Sequence, residues 1–191
     1  MRRGAKQATP QLRVIGGQWR GRKLQFPDRP GLRPTGDRIR ETLFNWLGPH
    51  LQNAKCLDLF AGSGALGIEA LSRGAAHCDF VDADREAITT VGQHLNTLDA
   101  TECSTVSCDI AARYLHQTND TWDIVFVDPP FDARLGESTL TLLANTERLA
   151  EASRVYFETS RSQPEPVPEG LYDVLREKTT GDVCYRLLSP R

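Results

Sequence analysis

Two short stretches of this 191-residue chain gather residue types able to hold a nucleotide-like ligand and to activate an amine. The first, LDLFAGSGALGIEA over 57–70, places Gly62, Gly64 and Gly67 at the spacing G-x-G-x-x-G, with Asp58 four residues before the first glycine. Glycines so spaced let backbone approach a ligand closely where a strand gives way to a helix. The second, DIVFVDPPF over 123–131, ends an apolar run in Asp128, Pro129, Pro130 and Phe131. Two prolines fix extended backbone and remove two N–H donors, leaving carbonyls and a carboxylate aimed at one spot.

A pyrophosphate at the helix N-terminus after Gly64 would face the added negative charge of Asp58. S-adenosylmethionine carries no phosphate and brings an α-ammonium and a sulfonium, so the acid favours that ligand over a dinucleotide. Phe60, Ala61 and Ser63 complete the loop. Asp82, twenty residues after Gly62, ends the next apolar run beside Ala83, where a carboxylate accepts bonds from both ribose hydroxyls. Asp84 competes with it for that place. Asp109, beside Ile110, ends the third run, where a carboxylate accepts from an adenine amino group.

The Asp128 motif suits an exocyclic amine on a nucleobase, whose lone pair is delocalised into the ring. Accepting its N–H bonds with the Asp128 carboxylate and the Pro129 carbonyl draws that lone pair out of conjugation and aligns it with a methyl donor. Phe131 offers a surface on which an extruded base stacks.

These motifs need a scaffold, and from Lys55 short apolar runs alternate with helical stretches: CLDLF then GALGIEALSRG, HCDFVDAD then REAITTVGQHLNTL, STVSCD then IAARYLHQ, and WDIVFVDPPF then a helix around LGESTLTLLANTERL, before SRVYFETS. Strands alternating with helices predict right-handed βαβ units and a mostly parallel sheet covered on both faces. YDVLREK and DVCYRLL flank a TTG turn and read as an antiparallel hairpin. Ahead of this body, RVIGGQWRGRKLQF predicts a hairpin with Arg and Lys on one face. Asp37 is placed to cap a helix whose apolar stripe is Ile39, Leu43, Trp46 and Leu47, with Arg38 and Arg40 outside it.

Charge divides the chain in two. Residues 1–40 hold eleven Lys/Arg against two acids, a net +9, whereas residues 41–191 hold twelve against 23, a net −11. A basic arm on an acidic body is the pattern of one segment that meets a polyanion. Accordingly 1–40 is read as a polyanion-binding extension, which the resemblance below makes RNA-binding, with Arg13, Arg20, Arg22, Lys23, Arg33, Arg38 and Arg40 as contacts, and 41–191 as the S-adenosylmethionine domain. If residues 1–40 contact phosphates, polyanion affinity falls steeply as salt rises, and deleting 1–26 flattens that dependence while leaving cofactor affinity nearly unchanged. Five cysteines without a C-x-x-C pair indicate neither disulfides nor a zinc site, and no metal is expected. No apolar run approaches the roughly 18 residues of a spanning helix. A monomeric, cytoplasmic protein is expected.

AGSG after LDLF, together with DPPF, resembles the class I S-adenosylmethionine-dependent amino-methyltransferases. RVIGGQWRGRKLQF and LRPTGDRIRETLFNWL resemble the RsmD family, which methylates N2 of a guanine in bacterial small-subunit ribosomal RNA. The resemblance runs from about Arg13 to the terminal hairpin. It implies a Rossmann-like α/β fold with a seven-stranded sheet and one antiparallel strand. It also implies that Asp58, Gly62, Gly64, Asp82 and Asp109 bind cofactor, that Asp128, Pro129 and Phe131 handle the base, and that the partner is ribosomal RNA or the assembling small subunit. Asp82 departs from the glutamate common at its position, which shortens the ribose contact. Three other readings remain open: an adenine-N6 methyltransferase, a non-catalytic RNA-binding assembly factor, and an NAD-dependent oxidoreductase, which Asp58 disfavours.

Overall fold

The computed structural model describes residues 10–26 and 36–191. Its main sheet has seven strands: β3 (Lys55–Asp58), β4 (His77–Asp82), β5 (Ser104–Cys108), β6 (Trp122–Val127), β7 (Leu149–Ser160), β8 (Tyr172–Thr180) and β9 (Val183–Pro190). They lie in the order β5-β4-β3-β6-β7-β9-β8, with β9 alone running against its neighbours. The central strands are buried on both faces, as near-continuous runs such as WDIVFV require of a parallel sheet. The expected hairpin is the β8–β9 pair.

Helices α1 (Asp37–Leu51), α2 (Ala65–Ser72) and α3 (Arg85–Thr97) cover one face, and α4 (Ala111–Gln117) and α5 (Gly136–Asn145) the other, each over its own apolar core. The α1 stripe buries Ile39, Leu43, Phe44, Leu47 and Leu51, at helical spacing, while Trp46 is half-buried with its ring 5.4 Å from that of Tyr185. Gly36, and not Asp37, stands at the helix start; the Asp37 carboxylate instead accepts from Arg40 Nη2 at 2.7 Å. Among the described residues no helix is long and apolar enough to cross a membrane.

Helix α2 has no solvent face, since every residue from Ala65 to Ser72 is buried. The sheet covers one side, so closely that a Cβ on Gly67 would come within 2.3 Å of the Phe80 ring. The N-terminal hairpin covers the other. Its strands β1 (Gln11–Arg13) and β2 (Lys23–Gln25) pair antiparallel with Arg13 opposite Lys23. Both cations are exposed, as the alternation predicted, and Leu12 and Leu24 point into the core together with Val14 and Phe26. The turn between the strands is fastened by polar contacts. Ile15 and Gly16 donate backbone N–H bonds to the Glu69 carboxylate at 2.9 and 2.8 Å, and Trp19 donates to Ser72 Oγ at 3.0 Å.

Candidate active site

The chain leaves β3 toward β4 and β5 on one side and crosses to β6 on the other, so the sheet order reverses between β3 and β6. In open α/β sheets the crevice at the carboxyl ends of such a pair is where ligands bind. Both motifs read from the sequence end there. Asp58 is the last residue of β3 and Asp128 follows β6.

Asp58 is 2 % exposed and accepts the Gly67 N–H at 2.9 Å. Burial pushes its carboxyl up to about 7; the Gly67 bond opposes this, and the nearby Asp128 and Asp82 charges add to it. The strand-end acids therefore feel one another across β4, β3 and β6. Such a site is primed for a cation and hostile to a pyrophosphate.

The glycine loop is shaped by backbone that side chains tolerate poorly. Gly62 has φ 51° and Gly64 φ 79°, both left-handed, and Gly64 stands immediately before α2. Ala61 donates to the Val81 carbonyl at 2.9 Å, and the Gly62 N–H donates to Asp82 Oδ2 at 2.8 Å. Asp82 Oδ1 accepts the Asp84 N–H at 2.8 Å, so this carboxylate pins the loop as well as standing at its rim. Asp84, the competitor, caps α3 and accepts the Glu86 N–H at 2.8 Å. Ser63 and Ala61 are buried, Phe60 is half-buried, and Ala83 is exposed.

At the end of β5 the Asp109 N–H donates to the Asp82 carbonyl at 3.0 Å, which ties the second and third acids together. Asp109 Oδ1 accepts the Ile110 N–H and is ion-paired with Arg113, a residue the sequence reading did not select. Ile110 is 54 % exposed, an apolar surface beside the acid, suited to a flat ring. Loop, acids and Ile110 thus fit an adenosyl ligand with a cationic tail.

Beyond β6, Asp128 is half-buried, Pro129 buried and Pro130 exposed, and Phe131 opens a single turn of 3-10 helix with its ring half-buried. Glu158 on β7 also escaped the sequence reading. It is 4 % exposed, accepts from Tyr156 Oη at 2.6 Å, and is pushed well above the usual carboxylate range by burial and by Asp128.

The proposed RNA contacts do not all gather here. Arg38 is exposed on the first turn of α1, and Arg33 lies outside the described residues. The turn bearing Trp19, Arg20 and Arg22 docks at the far ends of α2 and α3, where Gln18 N–H donates to the Ser72 carbonyl and Arg22 Nη2 to that of Thr97. Thirteen residues of α3 put Thr97 about 20 Å from the helix start beside Asp82. Arg20 and Arg22 are exposed there. Arg40 corrects the reading outright. It is 1 % exposed and bonds Asp37, the Arg13 carbonyl at 2.8 Å and Glu69 at 3.5 Å, because the fully buried Glu69 requires a cation.

The family model described as "Conserved hypothetical protein 95" matches residues 12–189. The chain is 46 % identical over 187 residues to the ribosomal RNA small subunit methyltransferase D of Escherichia coli strain K12, covering 98 % of this chain and 94 % of that protein. It is 42 % identical over 186 residues to the protein of the same name from Haemophilus influenzae, covering 94 % of each. The solved Escherichia coli structure of yhhF superposes with a TM-score of 0.87 at 45 % identity, over 95 % of this chain and 98 % of that one. With the matched span reaching from the buried hairpin to the last strand, the chain belongs to the Conserved hypothetical protein 95 family, the RsmD family that its RVIGGQWRGRKLQF and LRPTGDRIRETLFNWL stretches resemble.

Proposed function

We propose that this protein transfers a methyl group from S-adenosylmethionine to the exocyclic N2 amine of a guanine in small-subunit ribosomal RNA, in the cytoplasm where that RNA is assembled. The observation that carries the reading is the meeting of the buried acid and glycine loop of β3 with the Asp128-Pro129-Pro130-Phe131 motif of β6 at one sheet crevice. The relatives named as small-subunit ribosomal RNA methyltransferases support the substrate class.

When bound, the cofactor supplies an electrophilic methyl group on a sulfonium. The chain's own residues do the rest. Asp58 would meet the ammonium end, Asp82 would accept from the ribose hydroxyls and Asp109 from the adenine amino group, and Ile110 would lie against the adenine ring. Asp128 and the Pro129 carbonyl accept the amine's N–H bonds, Phe131 stacks on the base, and the carboxylates balance positive charge that develops on nitrogen. The surplus proton leaves after the N–C bond forms, which assigns Asp128 to orientation and charge stabilisation.

Incubating the protein with labelled cofactor and unmodified ribosomal RNA, then locating the methyl group by nuclease digestion and mass spectrometry, tests this directly. Label on adenine N6 would replace the guanine reading, and tight NADH binding without S-adenosylmethionine binding would end both.

Cofactor affinity should depend on pH through Asp58. Below about pH 7 this carboxyl holds its proton, and above it the carboxylate is free to meet a cation. A cationic ligand binds the charged form, so affinity rises with pH through that region, approaching about tenfold per unit at the acid end. Calorimetry from about pH 5.5 to about pH 7.5 in buffers of different ionisation enthalpy counts the released proton; a flat affinity with no proton release contradicts the assignment.

The hairpin's role is tested without dismantling it. Arg20 and Lys23 are exposed, so replacing both by Ala removes charge but little packing. Each lost phosphate contact should reduce the slope of log affinity for RNA against log salt by roughly 0.7–0.9, with cofactor affinity unchanged. An unaltered slope would remove the hairpin from the interface.

A further inference from the structure

Resting on the reading that Asp128 to Phe131 handle the target base, we infer that Glu165 is a positioning residue for Phe131, because its buried carboxylate clamps the far end of the base-handling loop. That loop runs from the end of β6 to the start of α5. One end is fixed by the sheet. At the other, no side chain within the loop caps the helix, and Leu135 stands at the cap position without such a bond. Glu165, from the segment after β7 and 5 % exposed, takes the role: it accepts the Gly136 N–H at 2.9 Å and the Glu137 N–H at 3.2 Å. An acid at a helix N-terminus satisfies orphan amides and complements the helix dipole.

Two further features show how tightly this end is held. A Cβ on Gly136 would come within 2.5 Å of the Phe157 ring, so the helix start is pressed onto β7. Between Phe131 and that clamp, Arg134 adopts φ 49° and ψ 48°, a left-handed conformation uncommon outside glycine. Strained backbone persists only where its surroundings over-determine it. Ala133 N–H bonded to the Pro130 carbonyl at 3.0 Å closes the turn on one side, and the Glu165 clamp two residues beyond Arg134 closes it on the other. Phe131 sits inside the closed segment, so its ring position follows from an acid 34 residues away in sequence.

Single-turnover methylation of ribosomal RNA by the full chain, with both substrates saturating, tests the inference. Glu165→Ala should lower the rate by about tenfold or more, the scale of a misplaced reacting group, with cofactor affinity intact. Glu165→Gln keeps an acceptor for the helix amides and should recover most of the rate. Tyr172→Phe is the control. It removes a buried bond from Tyr172 Oη to the Leu140 carbonyl, 2.7 Å long, further along α5, and should leave the rate unchanged. If Glu165 acts through Phe131, Phe131→Ala should add little to Glu165→Ala, whereas independent roles multiply. A wild-type rate for Glu165→Ala, an equal loss in Tyr172→Phe, or multiplying effects would each overturn the inference. Should Glu165→Ala fail to fold, Glu165→Asp, whose shorter side chain draws the acceptor back from the Gly136 and Glu137 amides, takes its place in the same cycle under the same criterion. A wild-type chain that methylates no nucleic acid sinks the parent reading and this role with it. An active wild type with an unaffected Glu165→Ala sinks this role alone.

Discussion

Replacing Asp128 by Ala should reduce the single-turnover rate of methyl transfer by roughly 10²-fold or more, the scale of losing one preorganised polar contact in the transition state. The carboxylate follows β6 at the sheet crevice, between Asp58 of β3 and Glu158 of β7, whose carboxyls are held up by burial first and by its charge in addition. That placement makes a second, independent readout available. Removing Asp128 withdraws negative charge from beside Asp58, so the Asp58 carboxyl should titrate lower, and the pH at which cofactor affinity levels off should move toward acid. A residue that served only to end a strand would move that profile without lowering the rate. The variant should remain folded, because Asp128 is half-buried at an open strand end and not in either apolar core. Wild-type turnover by folded Asp128→Ala protein, with an unmoved pH profile, would mean that the base is handled elsewhere.

Much of this was legible because it is local. Period-two and near-continuous apolar runs marked the strands, the glycine spacing marked the loop before α2, and the DPPF run marked the end of β6. Asp82 and Asp109 could be singled out because each closes an apolar run, and Asp58 because it stands four residues before the first glycine, and the sheet order then brings them together. What escaped was non-local pairing. Arg40 looked like a solvated cation flanking the α1 stripe, yet its partner Glu69 lies 29 residues onward, in a helix not yet placed against it. Glu165 escaped for the same reason: its contacts depend on where the start of α5 lands. One signal was present and unused. GALGIEALS has no polar face, so a helix formed from it must be covered on both sides, and the sheet can cover only one. A buried glutamate within such a stretch calls for donors from whatever provides the second cover.

That cover changes what truncating the arm can show. Deleting residues 1–26 would remove Leu12, Val14, Leu24 and Phe26 from the core, at about 1.5–3 kcal/mol for each buried side chain, and would strip the outer face of the cofactor helix. The deletion tests folding before it tests RNA binding, contrary to the expectation that it leaves cofactor affinity nearly unchanged. A sharper probe is Glu69→Ala in the full chain. Glu69 is fully buried and receives Ile15 N–H, Gly16 N–H, Arg73 Nε and Arg40 Nη1. Its removal leaves two backbone donors and the buried Arg40 guanidinium without their shared acceptor. Breaking such a pair by removing one partner costs roughly 3–5 kcal/mol, more than the pair itself contributes, because the remaining charge stays out of water. For a chain of this size the melting temperature should fall on the order of 10 °C. Glu69→Gln keeps one acceptor but loses the charge and should fall between the two. Scanning calorimetry of the three proteins decides the matter, and a Glu69→Ala protein melting within about 2 °C of wild type, at most about 1 kcal/mol by the same scaling, would show that the hairpin is held on α2 by its apolar contacts alone.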